Sequence, residues 1–423
     1  MKKKQTICLV SPGHLSTNPR LVKEATALNN AGFNVRIVCG QYSRMANKLD
    51  KSIATECWDI TRVRWGRFES DPVTHLRQKL TQLIASSFFR AGITTADVAD
   101  FAHAVATADL SRAVCASPRA DLYIAHYVAA LPAAARAAKK FDALFAFDAE
   151  DYHLGDLSDD PENDHAKSLI RSIESRYLPS ASYVSAASPL IGLKYKETYG
   201  ITCPTTILNV FPRPELPNSI EPLERGPSMY WFSQTIGPDR GLELAVEAVA
   251  MSRSRPHFFI RGNPVDGYAE HLQQMAASVG IEGHLHFLPL CEPNQLERMG
   301  AAFDIGFVGE QSHTLNRQIA LTNKLFSYIT SGIPIVASDI PAHQEISQRF
   351  AHAMKLFNSA SPRSLADCID GYLLNPKALL EAKARACSLA QSVFNWELEE
   401  QKLIDVVQST LVGSGRGDGF GGS

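Results

Sequence analysis

The sequence predicts an α/β protein built from two domains, each with a parallel sheet. Short, wholly apolar runs alternate with helical patterns along both halves of the chain, which is the rhythm of βαβ units. A proline-rich stretch, residues 211–227, separates the two series and reads as a stiff linker. With 423 residues, 45% hydrophobic and 20% charged, the chain has an ordinary globular composition and is long enough for two or three domains.

The elements follow in order. A strand is expected at 7–10 and a helix at 19–31, where Asn18 can cap, Pro19 takes the first helical position and Gly32 stops the helix. Strands are expected at 35–39, 122–125, 144–148 and 183–186, with helices at 131–141 and 164–178. The second series has strands at 229–232, 257–261, 284–287, 305–308 and 335–337, with helices at 241–251 and 268–279. In the last of these strands Ile333, Ile335, Val336 and Ala337 are too apolar for a half-exposed surface, so both faces should be covered. A long helical stretch, 376–411, breaks at Phe394-Asn395-Trp396, and the glycine-rich end has no means of burying a core.

Several classes are excluded. A formal net charge of −2 gives no bulk attraction to nucleic acid or anionic membrane. The eight cysteines show no CxxC spacing, so zinc and thioredoxin-like sites do not fit, and free thiols of a cytosolic protein are expected. No apolar run reaches the roughly 18 residues that span a bilayer. Residues 76–93 place Arg77, Lys79 and Arg90 among Leu80, Leu83, Ile84, Phe88 and Phe89, either as a basic amphipathic helix able to touch a membrane or as a helix packed on its own domain.

Ligands of open parallel sheets sit beyond the carboxyl ends of the strands, so polar residues just after strands are the candidates. Gly13 and His14 follow the first strand, with a helix N-terminus next. His126 follows another strand, as a ligand contact or as a satisfied structural histidine. The cluster Asp148, Glu150, Asp151 and His153 offers acceptor hydroxyl binding or proton transfer, or simply loop capping. In the second half, Gln234 and Gly237 precede Arg240 at one helix entrance, and Lys324 lies at another. A cation in a first turn opposes the helix dipole unless an anion is present, and two such cations suit a diphosphate. Glu310, His313 and Asn316 follow the strand at 305–308 as possible sugar contacts or plain loop polars.

The most specific stretch is Asn323-Lys324-Leu325-Phe326-Ser327-Tyr328, three residues, then Gly332-Ile333-Pro334-Ile335-Val336-Ala337-Ser338. Together with Gly237-Pro238-Asp239-Arg240-Gly241-Leu242, Leu208-Asn209-Val210 and Phe394-Asn395-Trp396-Glu397, it resembles a family 4-like glycosyltransferase of the GT-B fold, in which two Rossmann-like domains face each other across a cleft. The resemblance implies an N-terminal acceptor domain (1–210), a linker (211–227), a nucleotide-sugar domain (228–393), a helix crossing back (394–411) and a disordered tail (412–423).

It further implies that Arg240 and Lys324 neutralise the donor diphosphate, that His126 faces the donor sugar, and that Gly13, Gln234, Gly237, Glu310, Asn316, Asn323 and Ser327 line the donor. His14, Asp148, Asp151 and His153 are expected on the acceptor side. No metal and no cofactor are expected, the substrate being a nucleotide sugar such as a UDP- or GDP-sugar, and the acceptor a glycan or lipid-linked molecule. The two glutamates that many members carry would fall at Ile319 and Ser327 and are absent. The resulting expectation is a cytoplasmic glycosyltransferase of surface polysaccharide or glycolipid assembly, in peripheral contact with the inner face of the membrane. The alternatives are a non-catalytic binding protein of the same fold and a GT-B epimerase, which would need cleft carboxylates such as those between Asp148 and Asp151.

Overall fold

The computed structural model describes residues 4–55, 57–67, 69–214, 226–291 and 295–414. It divides into two compact units, Met1–Ile207 with Glu400–Ser423, and Leu208–Glu399. Most of the expected linker and of the expected tail lies outside the described residues.

The first unit holds seven parallel strands: β1 (Thr6–Ser11), β2 (Asn34–Gln41), β3 (Trp58–Arg64), β4 (Leu122–His126), β5 (Leu144–Ala149), β6 (Val184–Ala186) and β7 (Thr205–Thr206). Their order is β3-β2-β1-β4-β5-β6-β7. The second holds six: β8 (Ser228–Ile236), β9 (His257–Pro264), β10 (Leu285–Leu288), β11 (Ile305–Val308), β12 (Ile335–Ser338) and β13 (Met354–Phe357), ordered β10-β9-β8-β11-β12-β13. Each sheet therefore reverses its winding once, between β1 and β4 and between β8 and β11, and the loops at these reversals are where a ligand can enter.

The central strands are the apolar runs of the sequence. Ile7, Leu9, Ile124 and Phe147 are fully buried in the first sheet, as are Ile305, Phe307, Ile335 and Val336 in the second. Three strands were not expected. β3 is half-exposed and carries Asp59, Arg62 and Arg64, β7 has two residues, and β13 is four residues long with Lys355 inside it. β8 runs four residues past its expected end, through an irregularity in register between Phe232 and Thr235. The break at Asn395 is a cap: its Oδ1 accepts from Leu398 N at 3.2 Å, ending one helix at Ser392 and starting the next at Trp396.

Helix Pro72–Arg90 packs one face on its own unit, where Ala85 and Phe89 meet Ala102, Phe101 and Leu169. Only Gln78 and Ala85 are buried along it, while Leu76, Leu80, Leu83, Ile84 and Phe88 are exposed. Among the described residues no helix is long and apolar enough to cross a membrane.

Candidate functional site

In the second unit the reversal between β8 and β11 is built by glycine. Gly241 has φ 69°, and a Cβ there would lie 2.6 Å from the carbonyl oxygen of Gly309; a Cβ on Gly309 would lie 2.8 Å from that of Arg240. Only glycine permits this approach of two backbones. It places Arg240, half-buried, beside Glu310, the residue that follows Gly309.

Glu310 is 3% exposed and receives two cations: Lys324 Nζ at 3.2 Å from Oε1 and Arg317 Nη1 at 2.9 Å from Oε2. Burial alone would raise its pKa, but Lys324, then Arg317, with a contribution from Arg240, hold it down at about 2. Ser338 Oγ donates to the Glu310 carbonyl at 2.7 Å and fixes the backbone there. Lys324 itself is buried and lies 5.4 Å from the centre of the Trp231 ring. Within the protein, Glu310 is thus the anion that makes a lysine tolerable in the first turn of helix Asn323–Thr330.

The two helices that open here, Leu242–Met251 and Asn323–Thr330, have no side-chain cap, whereas Asn18, Asp71, Ser188 and Asn375 cap theirs. Thr322 Oγ1, at the head of the second of these helices, is buried without a hydrogen-bond partner. Helix starts without side-chain caps, beside three cations, are where the field favours an anion.

The structure therefore gathers Arg240, Glu310 and Lys324, and adds Arg317, Thr322 and Trp231, which the sequence reading did not select. Arg317 had one legible signal, a cation directly after Asn316 and seven residues from Glu310. Asn316, Ser327 and Gly237 are buried, Gln234 and Asn323 are exposed, and His313 pairs with Asp239 at 3.3 Å on the surface.

In the first unit several expected residues are engaged within the fold. His14 is buried; its Nε2 accepts from the backbone N–H of Tyr42 and Ser43 at 2.9 and 3.0 Å, so its Nδ1–H donates to Asp50 at 2.9 Å. Both ring nitrogens are spent on shaping the loop, and neither faces an acceptor. Gly13 lies in that loop, its carbonyl accepting from Gly40 N at 3.0 Å. A Cβ on Gly40 would lie 1.9 Å from the Pro12 oxygen, so β2 and this loop pack backbone to backbone.

Asp148 is also internal. Arg20 grips it through Nε at 2.6 Å and Nη2 at 2.7 Å, and Ser185 Oγ donates to it at 2.6 Å. Arg20, Glu24, His126 and Asp148 are all buried together. The His126 ring lies at ion-pair distances from Glu24 (3.4 Å), Asp148 (3.5 Å) and Glu150 (3.8 Å). His126, expected to face the donor sugar, thus faces carboxylates of its own unit. Glu24, His126 and Asp148 bring one metal-ligand atom each within 4.8 Å of one another. Arg20 already bonds both Asp148 oxygens, however, and supplies the counter-charge from the chain itself.

Burial works against charge on His126, but Glu24, Glu150 and Asp148 outweigh it and raise its pKa to about 10. A raised histidine stabilises the fold fully below its ordinary pKa near 6.5, and that contribution is lost as the pH climbs toward 10. Denaturant titrations should show stability falling between pH 7 and 10, with a shallower fall in His126→Gln. Equal slopes for the two proteins would refute the charged cluster.

His153 is the expected residue that the structure places on a cavity. This cavity has a volume of about 640 Å3 and opens at the carboxyl ends of β1, β4 and β5, beside Pro12, Tyr127 and His153. Tyr195 O–H donates to Glu174 Oε1 at 2.8 Å, so the tyrosine oxygen accepts from His153 Nδ1–H at 2.8 Å. That leaves His153 Nε2, buried and without a hydrogen-bond partner, as an acceptor. Burial lowers the pKa of this ring, but Glu174 raises it further, and the net direction is upward. Tyr127, also on the cavity, holds φ 68°, a conformation an aromatic residue adopts only when its surroundings impose it. Asp151 is half-buried nearby.

Two parallel sheets of the same winding, each with flanking helices, are the architecture of the GT-B fold. No protein-family model matches the chain, and no curated protein matches it in sequence. Solved structures do. Anabaena Alr3699/HepE in complex with UDP superposes with a TM-score of 0.70 at 14% identity, covering 96% of this chain and 100% of that one. Sucrose-phosphate synthase from Thermosynechococcus elongatus gives 0.70 at 14% identity, covering 97% and 100%. WaaG, a glycosyltransferase involved in lipopolysaccharide biosynthesis, gives 0.63 at 14% identity, covering 95% and 99%.

Proposed function

We propose that this protein is a metal-independent glycosyltransferase that moves a sugar from a nucleotide-sugar donor to a glycan or lipid-linked acceptor. One observation carries the proposal: Lys324, Arg317 and Arg240 converge on Glu310 between two uncapped helix N-termini, at the reversal of the second sheet. A donor diphosphate takes up the charge of Arg240 and Lys324, and the free N–H groups complete its neutralisation as the sugar–phosphate bond breaks. Glu310 keeps Lys324 ordered until the donor arrives. The first unit supplies the acceptor site, where His153 Nε2 takes up the hydroxyl proton. HepE, whose fold this chain shares, has been crystallised with UDP-glucose, which makes UDP-sugars the first donors to try. Assembly of a surface polysaccharide or glycolipid is the corresponding biological role.

Ser327 offers no carboxylate where many relatives have one, and that favours a second reading, a binding protein without turnover. An epimerase is poorly served, because Asp148 is locked to Arg20.

A thermal-unfolding panel of nucleotides and nucleotide sugars tests the proposal. A ligand at 100 times its Kd adds about 2.7 kcal/mol to native stability. At least one UDP- or GDP-sugar should raise the melting temperature and release nucleoside diphosphate slowly. Binding without release would favour the second reading, and no binding by any donor would remove both.

A further inference from the structure

We infer that the cavity of the first unit holds the hydrocarbon chain of an amphiphilic acceptor whose headgroup carries the hydroxyl to be glycosylated. This deepens the proposed function and rests on the first unit supplying the acceptor site. The walls are largely aliphatic, with Leu83, Ala102, Val128, Leu157, Leu169 and Ile170 on them. A free glycan needs many hydrogen-bonding partners along its length, and these side chains provide none.

Gln82, Ser86, Asp156 and His165 add polar groups to the lining, and Tyr127 and His153 lie at the strand ends. There His153 Nε2 is buried and unpartnered, able to accept from one hydroxyl of a headgroup. His103, at the end of helix Ala96–His103, is pushed down to about 4 chiefly by burial, so its side of the wall is uncharged at neutral pH.

The outer edge of the cavity settles which kind of apolar ligand fits. Leu83 lines the cavity and is also 58% exposed, on the same helix as the exposed Leu76, Leu80 and Phe88. Exposed apolar side chains thus continue from the cavity edge along a helix that also carries Lys79 and Arg90. A chain lying in the cavity and emerging beside this stripe stays out of water along its whole length. A compact apolar ligand would not use the stripe.

The test uses the full chain and n-alkyl glucosides with methyl, hexyl and octyl tails, titrated calorimetrically below their critical micelle concentrations. Each buried methylene should tighten binding about four-fold, so octyl glucoside should exceed hexyl by roughly ten-fold or more. Ala166→Trp fills the cavity from the helix Asp164–Tyr177, and Leu83→Asp places a charge at the exposed edge of the cavity. Both should abolish the dependence on tail length. Affinity independent of tail length overturns the inference. So does a dependence that survives in Ala166→Trp, which would mean adsorption to the outer helix. Donor binding is measured on the same protein: nucleotide-induced stabilisation without any tail-length effect defeats this inference and leaves the glycosyltransferase proposal standing, whereas a tail-length effect without donor binding defeats the proposal and, with it, the acceptor role of the cavity.

Discussion

Lys324→Ala should lower turnover of the stabilising nucleotide sugar by about 100-fold or more, the scale for losing one preorganised charge donor. The expected loss has two parts. One is the missing cation at the leaving diphosphate. The other arises from Glu310, which is buried and would keep Arg317 but lose Lys324 as an ion-pair partner. Its carboxylate would then repel the incoming diphosphate at short range, in a site where water screens little. The double variant Lys324→Ala/Glu310→Gln separates the two: donor affinity should partly return, while turnover stays low. Donor hydrolysis and transfer rates check this, and a wild-type rate in Lys324→Ala would remove the residue from the mechanism.

The second large effect concerns stability. Arg20 and Asp148 are fully buried and joined by two hydrogen bonds of 2.6 and 2.7 Å, with Ile207 O taking a third guanidinium N–H at 2.7 Å. Removing one partner strands a charge in the interior of the first sheet, which costs about 3–5 kcal/mol. Arg20→Met and Asp148→Leu should each lose that much in urea unfolding. The double variant should recover part of it, because an apolar pair of similar volume leaves no unpaired charge between the two residues. Additive losses would mean that the two side chains act independently and that the buried network is not a unit.

The fold was legible wherever one chain segment decides its own conformation. Fully apolar runs became central strands, Asn18 with Pro19 opened a helix, and Gly332 stopped one at φ 71°. The edge strands β3 and β13 escaped notice because solvent on one side allows the charged residues they carry. The site was half legible. Lys324 and Arg240 stand out as cations at helix entrances, since the helix dipole makes such positions costly without an anion.

Which anion, and from where, was not legible. Glu310 lies 14 residues from Lys324, and only the arrangement of β11 and β12 brings it to 3.2 Å. The same holds for Arg20, Glu24, His126 and Asp148, whose sequence separations reach 128 residues. It holds again for His14, whose spacing from Asp50 gave no hint that the two would bond.

Sequence alone determined two parallel-sheet domains and the positions of the cations, because hydrophobic periodicity, proline, glycine and helix ends act over a few residues. Tertiary structure decided which polar groups are spent on one another and which stay available. That choice turned His14, His126 and Asp148 inward and left His153 Nε2 on an apolar cavity. Burial and pairing depend on which strands become neighbours, and that is set by packing over the whole domain.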